Sequence, residues 1–398
     1  MLSYSEWSRL HSCILKAAFA RDPSTRAWDR GGILSGVGNA RHRLVEEVAA
    51  GNTADSGSPT GALIRSRFDA LLGAERDHLV QQWSPAEVPP VKQWPDVVYV
   101  RARLASDLGT GDLESWPGTA TPAEPPDEGP GRPGVHGGNR PRPSDGEHLV
   151  ETWLDDEARA LHGRVDRLEN RSGKLVVVDF KTGVGRSREE LVARHRDQML
   201  FYAGLVESTD GEWPGLELNP IEGTAAAVTY EPREVDWLRD AAQADRAAFN
   251  ARLELGQLST DVQPGRARCD WCPFQVVCPV LHARWPEPAT GDGPPQRRAL
   301  SLVAGTVRSV RRATASIDVI VIQQAVLSNS PGPVTITRLP AALQVDIGDG
   351  LVVAGAEVSG GARVLRARWD SRIRIEAAGW QTPPTWRPKD SSTGRPPT

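Results

Sequence analysis

The sequence predicts an α/β domain followed by a small all-β domain, and three observations carry that expectation. A period-two strand, a turn and a continuously apolar strand run from Leu161 to Val178. Long helical stretches stand before and after this hairpin, the order expected when helices cover a central sheet. From Leu300 onward the texture changes to short alternating strands with Gly-rich turns. At 398 residues the chain has room for two such cores.

Taken in order, Ser3 to Ala20 predicts a helix with Trp7, Leu10, Ile14 and Ala17 on one face and Ser3 or Ser5 as its cap. Asn39 to Ala50 predicts a second helix, preceded by Gly36-Val37-Gly38 and carrying His42. Ala62 to Gln82 predicts a third, and Val97 to Leu104 a strand. Residues 109–146 are rich in Pro, Gly, Glu and Asp and poor in aliphatics. Such a segment buries too little surface to offset its ordering entropy, so a disordered insertion is expected. His148 to Leu154 resumes the sheet and includes Glu151. After the hairpin come a helix over Arg188 to Glu207, a strand over Gly223 to Tyr230 and a helix over Val235 to Leu255. Gln198 and Tyr202, four apart, share one face of the first of these helices.

In the hairpin, Leu161, Gly163 and Val165 alternate with His162, Arg164 and Asp166, and Asn170 to Gly173 is turn chemistry. Leu175 to Val178 has the composition of a strand covered on both faces. It ends in Asp179-Phe180-Lys181, whose acid and lysine point the same way. Buried charges need partners. A divalent cation is one such partner, and a plain Asp-Lys ion pair in an ordinary hairpin is the other reading. Gly163-x-x-Asp166-Arg167 followed by Asp179-x-Lys181-Thr182-Gly183 resembles the signature of the PD-(D/E)XK nuclease superfamily, and within it the RecB-like branch. Gly38-x-x-x-His42 and Gln198-x-x-x-Tyr202 fit the same pattern, and Glu151 stands where that branch often has a glutamate, or is a solvated strand-edge acid. The resemblance implies a mixed central sheet flanked by helices and hydrolysis of DNA phosphodiesters with Mg²⁺ or Mn²⁺. It assigns His42, Asp166 and Asp179 as ligands, Lys181 as the group orienting the attacking water, and Gln198 and Tyr202 as residues positioning the strand.

The chain has four cysteines: Cys13, and Cys269, Cys272 and Cys278 as a CxxC-x5-C cluster. Three closely spaced thiols have metal-site spacing, whereas Cys13 taken alone reads as a core thiol. Soft thiolates suit zinc or iron-sulphur equally. The pattern, one cysteine before the core and three after, resembles the iron-sulphur subclass of RecB-like nucleases, in CRISPR-associated and AddB-like members. That implies a [4Fe-4S] cluster clasping the two ends of the domain, with structural Zn²⁺ as the alternative.

The expected organisation is a nuclease domain over 1–285, a linker over 286–298, an OB-like barrel over 299–378 and a disordered tail over 379–398. Arg308, Arg311, Arg312, Arg366 and Arg368 give the barrel a basic surface suited to a phosphate backbone. Against base stacking, no aromatic residue occurs between Leu300 and Arg368. DNA-groove extension and protein docking therefore both stand. The net charge of −4 neither demands nor excludes nucleic acid. No stretch of about eighteen apolar residues is present and the first residues lack a signal-peptide core, so a cytoplasmic location and no membrane partner are expected. No phosphate-binding loop occurs, so processive action needs a helicase in trans. The function expected is a metal-dependent DNA nuclease, an exonuclease acting on DNA ends or single strands in repair, recombination or defence. The alternatives are a non-catalytic DNA-binding or scaffold subunit and a CRISPR spacer-adaptation nuclease.

Overall fold

A computed structural model describes residues 1–23, 25–29, 33–49, 61–82, 88, 90–94, 97–109, 142–181, 187–220, 224–258, 262, 269, 272–283, 301–313, 316–323, 332–340, 343–358, 364–366 and 372–376. Its helices are α1 (Tyr4–Ser12), α2 (Ile14–Arg21), α3 (Ile33–Ala49), α4 (Gly61–Gln82), α5 (Val97–Gly109), α6 (Arg188–Asp210) and α7 (Pro232–Glu254), with a short turn of helix at Pro279–Ala283. The contacts divide the chain into two compact units that are not sequential. One comprises Met1–Ser8, Gly31–His78 and Pro90–Ala247, and the other Arg9–Arg30, Leu79–Pro89 and Ala248–Thr398.

The first unit is built on a mixed six-stranded sheet. Its strands are β1 (Leu2–Ser3), β2 (His148–Asp156), β3 (Leu161–Arg171), β4 (Lys174–Lys181), β5 (Gly215–Pro220) and β6 (Ala226–Ala227), ordered β1-β3-β4-β5-β6 with β2 on β3. Strand β3 has β2 along one edge and changes partner along the other. Leu161 and His162 pair in parallel with β1, while Arg167 to Arg171 pair antiparallel with β4. Gly163 to Asp166 separate the two pairings, and the sheet forks there. On one face α6 covers the sheet, bringing Met199, Leu200 and Leu205 onto Leu161, Val165, Leu168 and Val177. On the other, Val45 of α3 packs with Val178 and Phe180. Neighbouring residues of β4 thus bury into opposite cores, which is why its sequence is apolar without alternation.

Local chemistry sets the boundaries. Ser3 opens α1 with a capping box: its Oγ accepts the Glu6 amide at 3.2 Å and its own amide donates to Glu6 Oε2 at 2.9 Å. Ser187 and Glu190 do the same for α6, which ends at Gly211 with φ 73°.

Several elements differ from expectation. The helix expected over Ser3 to Ala20 is broken at Cys13, whose extended backbone caps α2. The helix carrying His42 starts at Ile33, so Gly36 and Gly38 lie inside it. A Cβ at Gly36 would stand 3.2 Å from the Trp94 ring, which explains a glycine there. Val97 to Leu104 is helical rather than a strand. Val97, Val100 and Leu104 are buried while Val98 is 78% exposed, a helical repeat that overrides the β-branched composition. The strand following α6 is Gly215–Pro220, where Leu216 and Leu218 are buried. The region expected as a strand from Gly223 contributes only the two residues of β6. Gly109 closes α5, and Arg142 to Gly146 are bonded to the β3–β4 turn, with Arg142 donating to Gly173 O at 3.1 Å. The remainder of the expected insertion, residues 110–141, lies outside the described residues, as do most of the expected linker and tail.

In the second unit, β7 (Ser301–Arg312), β8 (Ser316–Gln323), β9 (Gly332–Pro340), β10 (Gly350–Val358), β11 (Val364–Arg366) and β12 (Arg372–Glu376) form one sheet. Its order is β11-β9-β8-β7-β10-β12, and β11 also pairs with β10, which closes a ring of five strands. Strand β12 adds to β10 outside that ring. Val303, Val307, Ile336, Leu351, Val353 and Leu365 form one core, and Ala304, Val352 and Ala354 belong to another together with Leu15, Phe19, Phe249 and Phe274.

Candidate active site

At the fork of the sheet, acidic side chains from two strands meet a histidine. Asp166 is the last residue of β3 before its pairing with β4 begins, and its Oδ2 accepts the amide of Phe180 at 2.7 Å. Glu151 of β2 lies between the register pairs Val150–Arg167 and Thr152–Val165, which sets it opposite Asp166. It adopts φ 49°, a left-handed conformation that a non-glycine residue holds only when its surroundings enforce it. His42, on α3, places Nδ1 3.0 Å from Glu151 Oε1 and 3.8 Å from Asp166 Oδ1. One ligand atom from each of these three residues lies within 4.8 Å of the others. Two carboxylate oxygens and an imidazole nitrogen so disposed suit a hard or borderline divalent cation.

Asp179 and Lys181 face the α6 side. Asp179 is 1% exposed, and its Oδ2 is 2.5 Å from Lys181 Nζ. The same ammonium donates to Gln198 Oε1 at 2.9 Å, and Gln198 Nε2 donates to the Tyr202 hydroxyl at 3.0 Å. The i, i+4 spacing on α6 therefore yields a relay from the lysine to a buried phenol. Gly163 makes room for it: a Cβ there would lie 2.8 Å from Leu205 Cδ1 and 3.2 Å from Tyr202 Cε1. Arg167, the motif arginine, lies over the Phe180 ring at 5.2 Å, as does Arg41 at 5.1 Å.

The electrostatics are those of a site short of positive charge. Burial, then the charge of Asp179, push the Asp166 carboxyl up to about 7. Burial raises Asp179 as well, against the pull of Lys181. For His42, burial favours the neutral ring, yet the Glu151 hydrogen bond and the Asp166 charge outweigh it and raise its pKa. A divalent cation among these groups would relieve all three.

The structure thus brings together His42, Asp166, Asp179, Lys181, Gln198 and Tyr202, and places Glu151, which the sequence leaves between a site glutamate and a solvated strand-edge acid, opposite Asp166 and against His42. Thr182 and Gly183 lie outside the described residues. Arg164 braces the acids from outside, with Nε 2.7 Å from Glu151 Oε2 and Nη2 2.7 Å from Glu46 Oε1.

A family model of the PD-(D/E)XK nuclease superfamily matches residues 1–279. The chain belongs to the PD-(D/E)XK nuclease superfamily. Members of this superfamily are generally metal-dependent nucleases, and the His42, Glu151 and Asp166 group is this PD-(D/E)XK chain's candidate metal site. A search of curated proteins finds no match to it. No helix among its described residues is long and apolar enough to cross a membrane.

The four cysteines of this PD-(D/E)XK chain pack against a single apolar cluster in the second unit. Burial first, then the neighbouring cysteines, push Cys278 up to about 12 and Cys272 up to about 11. Thiols raised in this way stay protonated near neutral pH unless a nearby cation compensates them. Of the arginines expected to give the C-terminal part a basic surface, Arg308, Arg311 and Arg312 are exposed and Arg366 is half-buried, while Arg368 lies outside the described residues. Arg312 donates to Val345 O at 2.9 Å and Leu343 O at 3.2 Å, so part of its guanidinium is engaged within the domain.

Proposed function

We infer that the protein is a Mg²⁺- or Mn²⁺-dependent deoxyribonuclease acting on DNA ends or single strands. The observation that carries this reading is the His42, Glu151 and Asp166 group together with a half-buried lysine, Lys181, on the strand next to Asp166. His42, Glu151 and Asp166, with Asp179 close by, would hold the ion, which when bound polarises the phosphate and acidifies a coordinated water. Lys181 directs its ammonium to the reacting phosphate and offsets charge developing there. Gln198 fixes that ammonium through Oε1 and is itself held by Tyr202, so the lysine spends no freedom in reaching its position. Arg164 keeps Glu151 turned inward.

Two finer readings accompany this one. The cysteines at 13, 269, 272 and 278 hold a [4Fe-4S] cluster, with Zn²⁺ as the rival. Supporting it are their common environment and the raised pKa values of Cys272 and Cys278. The five-stranded ring is OB-like, which its order β7-β8-β9-β11-β10 and the parallel β9–β11 pair support, and Arg308 and Arg311 are suited to backbone phosphates.

Purified protein incubated with end-labelled single-stranded and duplex DNA tests the main reading. Cleavage with Mn²⁺ that is lost in excess chelator and in Asp166→Asn supports it. Cleavage that persists in chelator, or no cleavage of either DNA under any divalent ion, overturns it.

A further inference from the structure

Along the β2–β3 hairpin, one face carries more than the acidic group. Trp153 and Arg164 are register partners, as are Asp155 and His162. Glu151, Trp153 and Asp155 alternate along β2, as do His162, Arg164 and Asp166 along β3, so all six fall on the side of the sheet that meets α3 at His42. In the middle of this row Trp153 stacks on the His162 ring, with centroids 5.7 Å apart and planes inclined by 12°. The histidine's Nε2 lies 3.7 Å from Glu6 Oε2. The indole nevertheless remains 42% exposed.

A single exposed apolar side chain is unremarkable on a protein surface. Here two further facts bear on it. A flat, partly exposed ring held nearly parallel to a second ring is an aromatic surface of the kind on which a nucleobase stacks. It also stands two residues from Glu151, about 7 Å along the strand, on the face that carries the cation-binding group. Arg164 sits between, its guanidinium turned to Glu151 and Glu46.

The geometry points to Trp153, supported by His162, as a base-stacking platform that holds a nucleobase next to the scissile phosphate. This rests on the nuclease reading and deepens it. Bases in an intact duplex are stacked on their neighbours and hidden from such a ring, so the substrate class is a strand with at least one unstacked base: single-stranded DNA or a frayed end. Trp153 is a specificity-determining residue and His162 a positioning residue.

The test uses the full chain with Mn²⁺ and a set of single-stranded oligonucleotides, each with one abasic site at a successive position. Cleavage is followed by gel and binding by fluorescence anisotropy. In the wild type, one abasic position near the cut lowers kcat/KM and affinity on the order of ten- to a hundredfold. Trp153→Ala lowers both to a similar degree on intact DNA and is indifferent to that abasic position. Trp153→Phe restores most of the loss, and His162→Ala resembles Trp153→Ala. An abasic profile in Trp153→Ala that matches the wild type overturns the platform. So does equal loss on single-stranded and fully paired substrates. A wild type that binds but never cuts overturns the hydrolytic reading alone, since anisotropy still reports the stacking position. Thermal melts show whether each variant is folded.

Discussion

Glu151 faces Asp166 across the β2–β3 ladder from a left-handed backbone, φ 49°, at the one point where β3 exchanges β1 for β4 along its other edge. The ladder pairs on either side hold the strained residue in place. Strand alternation sets its side chain on the His42 face, where Oε1 stands 3.0 Å from His42 Nδ1. Replacing Glu151 with Gln is expected to weaken Mn²⁺ binding by at least about tenfold with little loss of stability. Titration calorimetry gives the affinity, and an unchanged value would remove Glu151 from the ligand set.

The acidity of Asp166 sets a pH dependence. Its carboxyl is held at about 7 in the folded chain, against roughly 3.9 when unfolded. The folded state thus binds this proton more tightly across that interval, so stability in chelator is highest at the acid end and falls as pH rises from about 4 to 7. His42, also raised, acts in the same direction. Asp166→Asn is expected to flatten the slope. Urea titrations at stepped pH in chelator measure it, and Mn²⁺ added near pH 6 is expected to release protons.

Lys181→Met removes the ammonium that Asp179 and Gln198 hold. Single-turnover cleavage is expected to fall by about 10²–10³-fold, the loss seen when one group stabilising transition-state charge is removed. Gln198→Ala leaves the lysine in place but loose and is expected to lose less. A larger effect from Gln198 than from Lys181 would reverse their assigned roles.

Gly163→Ala tests the packing beneath the site. The added methyl meets Leu205 and Tyr202 at 2.8 and 3.2 Å, both in the buried core. Overpacking of this kind destabilises by about 1–3 kcal/mol. Displacing Tyr202 also disturbs Gln198, so cleavage is expected to drop along with the denaturation midpoint.

Anaerobic purification distinguishes the metals of the cysteine group. A broad absorbance near about 400 nm, lost in Cys13→Ala, is expected for the cluster. A colourless protein holding one zinc would replace it.

The strand that ends in Asp179 and Lys181 was legible because its chemistry is local: Asp179 and Lys181 are two apart on a strand, and Gln198 and Tyr202 four apart on a helix. The helix at Val97 was not, since Val-Val-Tyr-Val favours a strand by composition, and only the burial of Val97, Val100 and Leu104 against solvated Val98 reveals its period. Strand β5 escaped notice because Gly215, Asn219 and Pro220 are turn residues by type, and its parallel pairing to β4 is not encoded nearby. Glu151 could be marked as a candidate, but its place opposite Asp166 and beside His42 depends on the β2–β3 register and on a helix distant in sequence.

The aromatic pair Phe19 and Phe274, with ring centroids 5.4 Å apart, couples segments made far apart in time. At about 5–20 residues per second, a ribosome produces Phe19 roughly ten to fifty seconds before Phe274. During that interval Leu15, Phe19 and the Cys13 thiol await their partners. The early segment must therefore be kept from other nascent chains and from oxidation until the late one emerges, and slowing translation should lower the yield of folded protein.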